Sequence, residues 1–223
     1  MQKEYNRMID HTYLKADATK AQIDKLINEA KQYNFKTICI NSAWIPYAKK
    51  ELAGTEVGIT TVVGFPLGAS LSRVKAYEAA EAIKEGADEI DMVINIGKLK
   101  DKDYEYVLND IKEVKTACGS HILKVIVETA LLTQEELEKV TEIVANSGAE
   151  FIKTSTGFST RGASLDDVKT MAKIGNGRLL IKAAGGISNM NDMINMNEAG
   201  ATRFGTSRSI AILESKEADP NSY

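Results

Sequence analysis

Little in this sequence interrupts it. Three prolines occur in 223 residues, and there is no Pro/Gly/Ser-rich stretch, so nothing marks a linker. One domain is expected, and 43% hydrophobic residues are enough for one sizeable core. Cysteine is scarce as well. Cys39 and Cys118 both sit in apolar surroundings, which argues against a disulfide framework and for free thiols in a reducing compartment. No long uncharged apolar run and no N-terminal apolar h-region is present, so neither a membrane span nor a secretion signal is expected and the default location is cytoplasmic. Lysines and arginines are scattered, and the net charge is -3, which argues against a nucleic-acid partner held by counterion release. No His/Cys/Asp spacing suggests a metal, and no cofactor is expected.

What is present is an alternation of short and long apolar patterns. β-branched or aliphatic runs begin at Arg7 (RMIDHT), Lys36 (KTICI), Gly58 (GITTVV), Asp88 (DEIDMVI), Ile122 (ILKVIVE), Glu150 (EFIKTS), Leu179 (LLIKA) and Thr202 (TRFGT). Helical stripes lie between them, such as Ile23, Leu26, Ile27, Ala30 and Tyr33, then Val107, Ile111, Val114 and Cys118, then Leu137, Val140 and Val144. Thr19–Gln22 and Thr133–Glu136 read as capping boxes. Gly86, Gly148 and Gly200 each precede an alanine and the next strand, one helix-to-strand joint used three times. Eight strands, each followed by a helix, predict the α/β class: a single-domain (β/α)8 TIM barrel over residues 1–215, with a short tail over 216–223. A doubly wound open sheet is the alternative. It would normally carry a glycine fingerprint after its first strand, and MIDHTYLKADATK has none.

Charges in the middle of such strands need a reason. Barrel strands are covered by helices outside and by packed side chains inside, so a mid-strand charge is tolerated mainly on the inner face near the C-terminal mouth. Asp91, Lys124, Lys153 and Lys182 are the four candidates. Ile90 and Met92, Ile152 and Thr154, and Ile181 and Ala183 flank three of them and suit the helix-facing side. One reading is a charged plug that closes the barrel. The other is chemistry: burial and neighbouring cations drive a lysine toward its neutral amine, which can attack a carbonyl. On that reading Lys153 is the nucleophile and Lys182 keeps it reactive.

Glycines and hydroxyls follow the later strands in TSTGF, AAGGIS and GTSRS. Gly157, Gly185, Gly186, Gly205 and Ser207, with Arg208 adding charge, suit a phosphate held by backbone N–H groups at helix N-termini. Turn glycines are the plainer alternative.

These motifs closely resemble the deoxyribose-phosphate aldolases. DEIDMVINIG, LKVIVE, FIKTSTGF, IKAAGGI and RFGTS occur in that family's order, preceded by IDHTYLKADAT and VVGFPLG, and the resemblance covers nearly the whole chain. It implies a metal-independent class I aldolase that cleaves 2-deoxyribose 5-phosphate to glyceraldehyde 3-phosphate and acetaldehyde. By motif, Lys153 matches the Schiff-base lysine, Lys182 the lysine that perturbs it and Asp91 the proton-transfer acid. Lys124 matches a pocket lysine, Asp10 an acid near the substrate and Cys39 a pocket-adjacent thiol. Tyr223 matches a terminal tyrosine that assists proton transfer at the enamine carbon in some members. The expected substrate-binding set is Asp10, Cys39, Lys124, Thr154, Gly157, Gly185, Gly186, Gly205, Ser207 and Arg208. The expected partners are small phosphosugar and aldehyde substrates, with no nucleic acid and no membrane. A homodimer is compatible with the sequence, which does not fix the oligomeric state.

Arg161, Arg208 and Ser209 depart from the residues usual in that family, and they serve either the phosphate or the surface. His11 reads as a hydrogen-bonded histidine beside the barrel, Trp44 and Tyr47 as helix packing, and Cys118 as a structural thiol. Two other classes fit a barrel of this kind: a phosphosugar isomerase working by proton transfer alone, and a phospholigand-binding barrel without catalysis.

Overall fold

The period-two runs become eight strands: β1 Ile9–Tyr13, β2 Thr37–Ile40, β3 Gly58–Val63, β4 Glu89–Val93, β5 Ile122–Ile126, β6 Phe151–Lys153, β7 Leu180–Ala184 and β8 Arg203–Thr206. The computed structural model of the protein describes residues 5–214; Tyr223 and the rest of the expected tail lie outside them. Every strand pairs in parallel with its sequence neighbour, and β8 returns to β1, so the sheet closes into a barrel in the order β1 to β8. The open-sheet alternative is thereby excluded.

The helices are α1 Lys20–Tyr33, α2 Ile45–Glu51, α3 Ser72–Glu85, α4 Ile96–Lys100, α5 Tyr104–Cys118, α6 Gln134–Ala145, α7 Leu165–Gly175, α8 Met190–Glu198 and α9 Ser209–Glu214. Both expected capping boxes form. The Thr133 N–H donates to Glu136 Oε2 at 2.8 Å, and the Thr19 N–H to Gln22 Oε1 at 2.7 Å. The predicted stripes of α1, α5 and α6 are their buried faces. No helix among the described residues is long and apolar enough to cross a membrane.

The apolar core is a shell between sheet and helices, not the inside of the barrel. Ile90, Met92, Ile152, Ile181 and Ala183 belong to it, the face expected for residues that flank the inward charges. Inside the barrel lies a small apolar cluster, Leu14, Cys39 and Val62 with Phe65 against it. Buried charges share the rest of the interior with apolar residues such as Phe151.

Most strand limits differ from the sequence reading by a residue or two, and two of the differences bear on the site. Arg7 and Met8 sit in a 3-10 turn ahead of β1, where Arg7 Nη1 donates to the Phe35 carbonyl at 2.8 Å. The strand that was to run from Glu150 to Ser155 keeps only Phe151–Lys153. Glu150 is engaged across the sheet edge instead, accepting from the Leu123 N–H at 2.8 Å. Lys153 is therefore the last residue of its strand, which places it at the mouth.

Candidate active site

Alternation turns one residue in two of each strand inward, and on six of the eight strands at least one of those residues is ionic. Lys153 and Lys182 are register partners on β6 and β7, Lys182 pairs with Arg203 on β8, and Asp91 pairs with Lys124 across β4 and β5. Asp91 is the hub. Its Oδ2 accepts from Lys153 Nζ at 2.7 Å and from Lys182 Nζ at 2.8 Å, and its Oδ1 from Lys124 Nζ at 2.7 Å. Asp10, from β1, lies 2.5 Å from Lys182 Nζ through Oδ2. Its Oδ1 accepts from Thr37 Oγ1 and from Arg203 Nη1, each at 2.8 Å. Glu89 completes the network, with Oε2 2.7 Å from Lys124 Nζ and 2.6 Å from Arg203 Nη1.

The three lysines share these partners unequally. Among the described residues, Lys124 has Asp91, Glu89 and, at 3.7 Å, Asp10; Lys182 has Asp10 and Asp91; Lys153 has Asp91 alone. The consequence is electrostatic. Burial works against the charge on all three, but Asp91, Glu89 and Asp10 outweigh it at Lys124, and Asp10 and Asp91 outweigh it at Lys182, so both hold their protons more tightly than a free lysine. At Lys153 burial wins over the single carboxylate, the Lys182 cation adds to it, and the amine's proton affinity is lowered. Burial alone would raise the proton affinity of the Asp91 carboxyl. Lys124, Lys153 and Lys182 reverse that and hold it well below the usual carboxylate range. Of the three lysines only Lys153 is driven toward neutrality; interleaved carboxylates hold Lys124 and Lys182 charged.

Lys153 also faces open space. A cavity of about 280 Å³ at the mouth is lined by Lys153 together with Thr156, Gly157, Gly185, Gly186, Gly205, Ser207 and Arg208. Seven of the sequence-predicted residues thus meet on one cavity: Lys153, Gly157, Gly185, Gly186, Gly205, Ser207 and Arg208. A larger hollow, about 450 Å³, opens at the opposite end of the barrel beside Lys36, Lys49, Asp88 and Glu89. It has no inward lysine and no glycine-rich rim, so chemistry favours the smaller one.

The rim is built from backbone packed on backbone. Gly185 and Gly186 have φ of +67° and +69°, where a side chain is strained. A Cβ on Gly186 would lie 2.5 Å from the Ala163 carbonyl oxygen, and one on Gly162 would lie 2.5 Å from the Gly186 nitrogen. Gly205 serves a second purpose, since its Cβ would lie 3.0 Å from Lys182 Cε. The loop after β6 is pinned by Glu128, whose buried carboxylate accepts from the Thr156 N–H at 3.2 Å and from the Thr156 hydroxyl. Thr156 Oγ1 in turn accepts from the Phe158 N–H at 3.0 Å, and the Phe158 ring meets Phe65 edge to face at 5.3 Å.

Other predicted residues lie away from the cavity wall. Asp91, Lys182, Asp10, Lys124 and Cys39 are fully buried beneath it. Burial raises the Cys39 thiol's proton affinity, so it is an inert neighbour rather than a thiolate. Thr154 points outward and works as a strut, its Oγ1 accepting from the Ala184 N–H at 3.1 Å. Arg161 is engaged elsewhere, with Nη1 2.5 Å from Asp167 Oδ2 and Nη2 donating to the Thr129 carbonyl at 3.1 Å. Ser209 is buried and 2.8 Å from His11 Nδ1, while His11 Nε2 lies 2.8 Å from Glu29, so His11 is the hydrogen-bonded histidine beside the barrel. Tyr223 is outside the described residues.

The sequence reading passed over Glu89, Arg203 and Glu128. Strand parity would have found the first two. Glu89 is two residues before Asp91 on the same face, and Arg203 is two before Gly205. Glu128 carries no such signal, because it adopts φ 56° in a loop.

Residues 6–213 match the family described as DeoC/LacD family aldolase. The chain is 60% identical over 218 residues to a deoxyribose-phosphate aldolase of Mycoplasmopsis synoviae, covering 96% of this chain and 98% of that one. It is 59% identical over 214 residues to the deoxyribose-phosphate aldolase of Metamycoplasma arthritidis, covering 96% and 99%. Among solved structures, the tetrameric deoxyribose phosphate aldolase of Aeropyrum pernix superposes with a TM-score of 0.85 at 29% identity, covering 94% of this chain and 89% of that one.

Proposed function

The chain belongs to the DeoC/LacD family of aldolases, and from that premise we propose the roles of its residues. The reaction is the reversible cleavage of 2-deoxy-D-ribose 5-phosphate to D-glyceraldehyde 3-phosphate and acetaldehyde through a lysine Schiff base. The observation that carries the assignment of roles is the singular position of Lys153: one carboxylate contact, a lowered proton affinity and a place on the cavity wall.

In this reading the neutral Lys153 amine adds to the C1 aldehyde of the open-chain sugar, and loss of water leaves an iminium. The C3 hydroxyl gives up its proton, the C2–C3 bond breaks, and its electron pair moves into the iminium to form an enamine. Glyceraldehyde 3-phosphate leaves. Protonation at C2 and hydrolysis then release acetaldehyde and restore the amine. Asp91 and Lys182 are the proposed proton carriers, because one oxygen of Asp91 touches both lysines. Lys182 and Lys124 keep that carboxylate ionised and aimed, and Asp10 holds Lys182 in place. Gly157, Gly185, Gly186, Gly205, Ser207 and Arg208 are proposed to receive the phosphate, with Lys124 and Cys39 buried beneath the cavity as support for the residues that meet the carbon chain. Tyr223 is proposed to deliver the proton at C2.

Sodium borohydride added with acetaldehyde tests the nucleophile. An ethyl adduct should appear on Lys153 by peptide mass spectrometry and be absent in Lys153→Ala. An adduct on any other lysine, or full turnover by the variant, would refute the assignment. This test also separates the aldolase from the isomerase and binding-barrel alternatives, neither of which forms an iminium. For Tyr223→Phe, exchange of the acetaldehyde methyl protons with solvent should slow while trapping persists; exchange at the wild-type rate removes Tyr223 from the site. A homodimer is compatible with the sequence, and sedimentation equilibrium distinguishes it from a tetramer like that of the Aeropyrum pernix protein.

A further inference from the structure

Glu89 and Arg203 have no part in the steps above, yet they belong to the same buried network. Each opens its strand, β4 or β8, at the end of the barrel away from the cavity. Arg203 grips Glu89 with both nitrogens, Nη1 to Oε2 at 2.6 Å and Nη2 to Oε1 at 3.2 Å, and stands 5.3 Å from the Phe151 ring centre. Two ionic routes lead from this pair to the nucleophile. Glu89 holds Lys124, which holds Asp91 Oδ1. Arg203 holds Asp10, which holds Lys182 and through it Asp91 Oδ2. Every link is 2.5–2.8 Å long, and the partners are buried, which strengthens the interactions.

Charge balance gives the pair a purpose. Fully ionised, the network holds four cations, Lys124, Lys153, Lys182 and Arg203, against three carboxylates, Asp10, Glu89 and Asp91. One positive charge is in excess. A guanidinium keeps its proton. Lys124 and Lys182 are each held by two or three carboxylates, so the excess is shed most easily at Lys153. We propose that Glu89 and Arg203 form a charge-balancing layer beneath the site which sets how readily Lys153 gives up its proton, although neither residue touches Lys153 or the substrate. They are positioning residues. The inference rests on Lys153 being the Schiff-base lysine.

Asp91 from β4, Lys182 from β7 and the Cys39 thiol from β2 act on Lys153 directly; Lys124 from β5 reaches it through Asp91 and Asp10 from β1 through Lys182, and β3 contributes the uncharged Thr60, which accepts from Lys124. Removing one negative charge from this set should release the Lys153 proton at lower pH, and removing one positive charge should retain it to higher pH.

The experiment is the pH dependence of borohydride trapping at Lys153 with a fixed acetaldehyde concentration. The proteins are wild type, Glu89→Gln, Arg203→Met and the double variant, each checked for folding by circular dichroism. The acid limb of the trapping profile should move to lower pH in Glu89→Gln and to higher pH in Arg203→Met. In the double variant, where the charge difference is restored, it should return to the wild-type position. Shifts of the same sign in both single variants, or no shift in either, overturn the proposal. Should Arg203→Met fail to fold, Glu89→Gln against Glu89→Asp carries the comparison: the limb moves only where the charge is lost, and equal movement in both overturns the proposal. Absence of an adduct on Lys153 in wild type removes the functional reading, and this inference with it. Adducts in every variant with unmoved profiles overturn this inference alone.

Discussion

Lys75 and Lys153 are both buried lysines, each 2.7 Å from a carboxylate, and burial lowers the proton affinity of both. One lies behind the sheet, between α3 and α5. The other lies inside the barrel. Lys75 Nζ donates to Asp110 Oδ2 and, at 2.9 Å, to the Val93 carbonyl, and neither cavity described above reaches it. It is a closed pair. Lys153 belongs to a network with an excess cation and stands on a cavity wall. Lowered proton affinity therefore does not mark a nucleophile by itself. Excess charge together with access does, while a one-to-one pair sealed by helices ties elements together.

The largest expected difference between the two sites is obtained by replacing each lysine with methionine. Lys153→Met should lower turnover by on the order of 10³-fold or more, as loss of a covalent nucleophile does. Its stability should hold or rise, because the remaining network balances three cations against three carboxylates. Lys75→Met should do the reverse. It leaves Asp110 buried without a cation, and Asp110 Oδ1 already has no hydrogen-bond partner among the described residues. Such a change costs about 3–5 kcal/mol, with activity per folded molecule retained. Urea denaturation and a coupled assay on both variants read the pair of effects. Loss of turnover in Lys75→Met at unchanged stability would break the comparison. A smaller effect sharpens it: Lys75→Met with Asp110→Leu removes the pair as a unit and should recover most of the lost stability.

The sequence showed the barrel and the lysines because both are written locally. Period-two runs, capping boxes and the repeated Gly-Ala joint depend on residues near one another in the chain. The charges at Asp91, Lys124, Lys153 and Lys182 interrupt otherwise apolar strands, so each is visible alone. The carboxylates that decide which lysine is reactive were not visible in the same way. Glu89 and Arg203 stand first on their strands, where a charge is unremarkable at a sheet edge. Their significance comes from the closure of the barrel, which brings residues 114 positions apart within 2.6 Å. Lys75 and Asp110 lie on amphipathic helices where charged residues are expected outside, and only the packing of α3 on α5 turns them inward. Arg161 was visible as an unusual cation, but its partner Asp167 was not; the pair ties the loop after β6 to the start of α7.

Access, the other half of the comparison, depends on the loops and can be altered without touching a charge. Gly186 has φ +69°, and a Cβ there would stand 2.5 Å from the Ala163 carbonyl oxygen, so the loop after β7 rests directly on the backbone before α7. Gly186→Ala combines a strained conformation, about 1 kcal/mol, with a contact that backbone alone must relieve. The loop should move off Ala163 and shift the N–H groups proposed to receive the phosphate, while the ion network below stays in place. The expected outcome is a KM for 2-deoxyribose 5-phosphate raised about tenfold, the equivalent of one lost interaction of ~1.4 kcal/mol. The kcat should change little. Cleavage of unphosphorylated 2-deoxyribose should be nearly unaffected, because that substrate makes no use of the displaced N–H groups. Steady-state kinetics on both sugars separates the outcomes. Equal loss on the two would mean that the rim supports the whole site rather than the phosphate, and Gly185 and Gly186 would then be turn residues, as the plainer reading of AAGGIS has it.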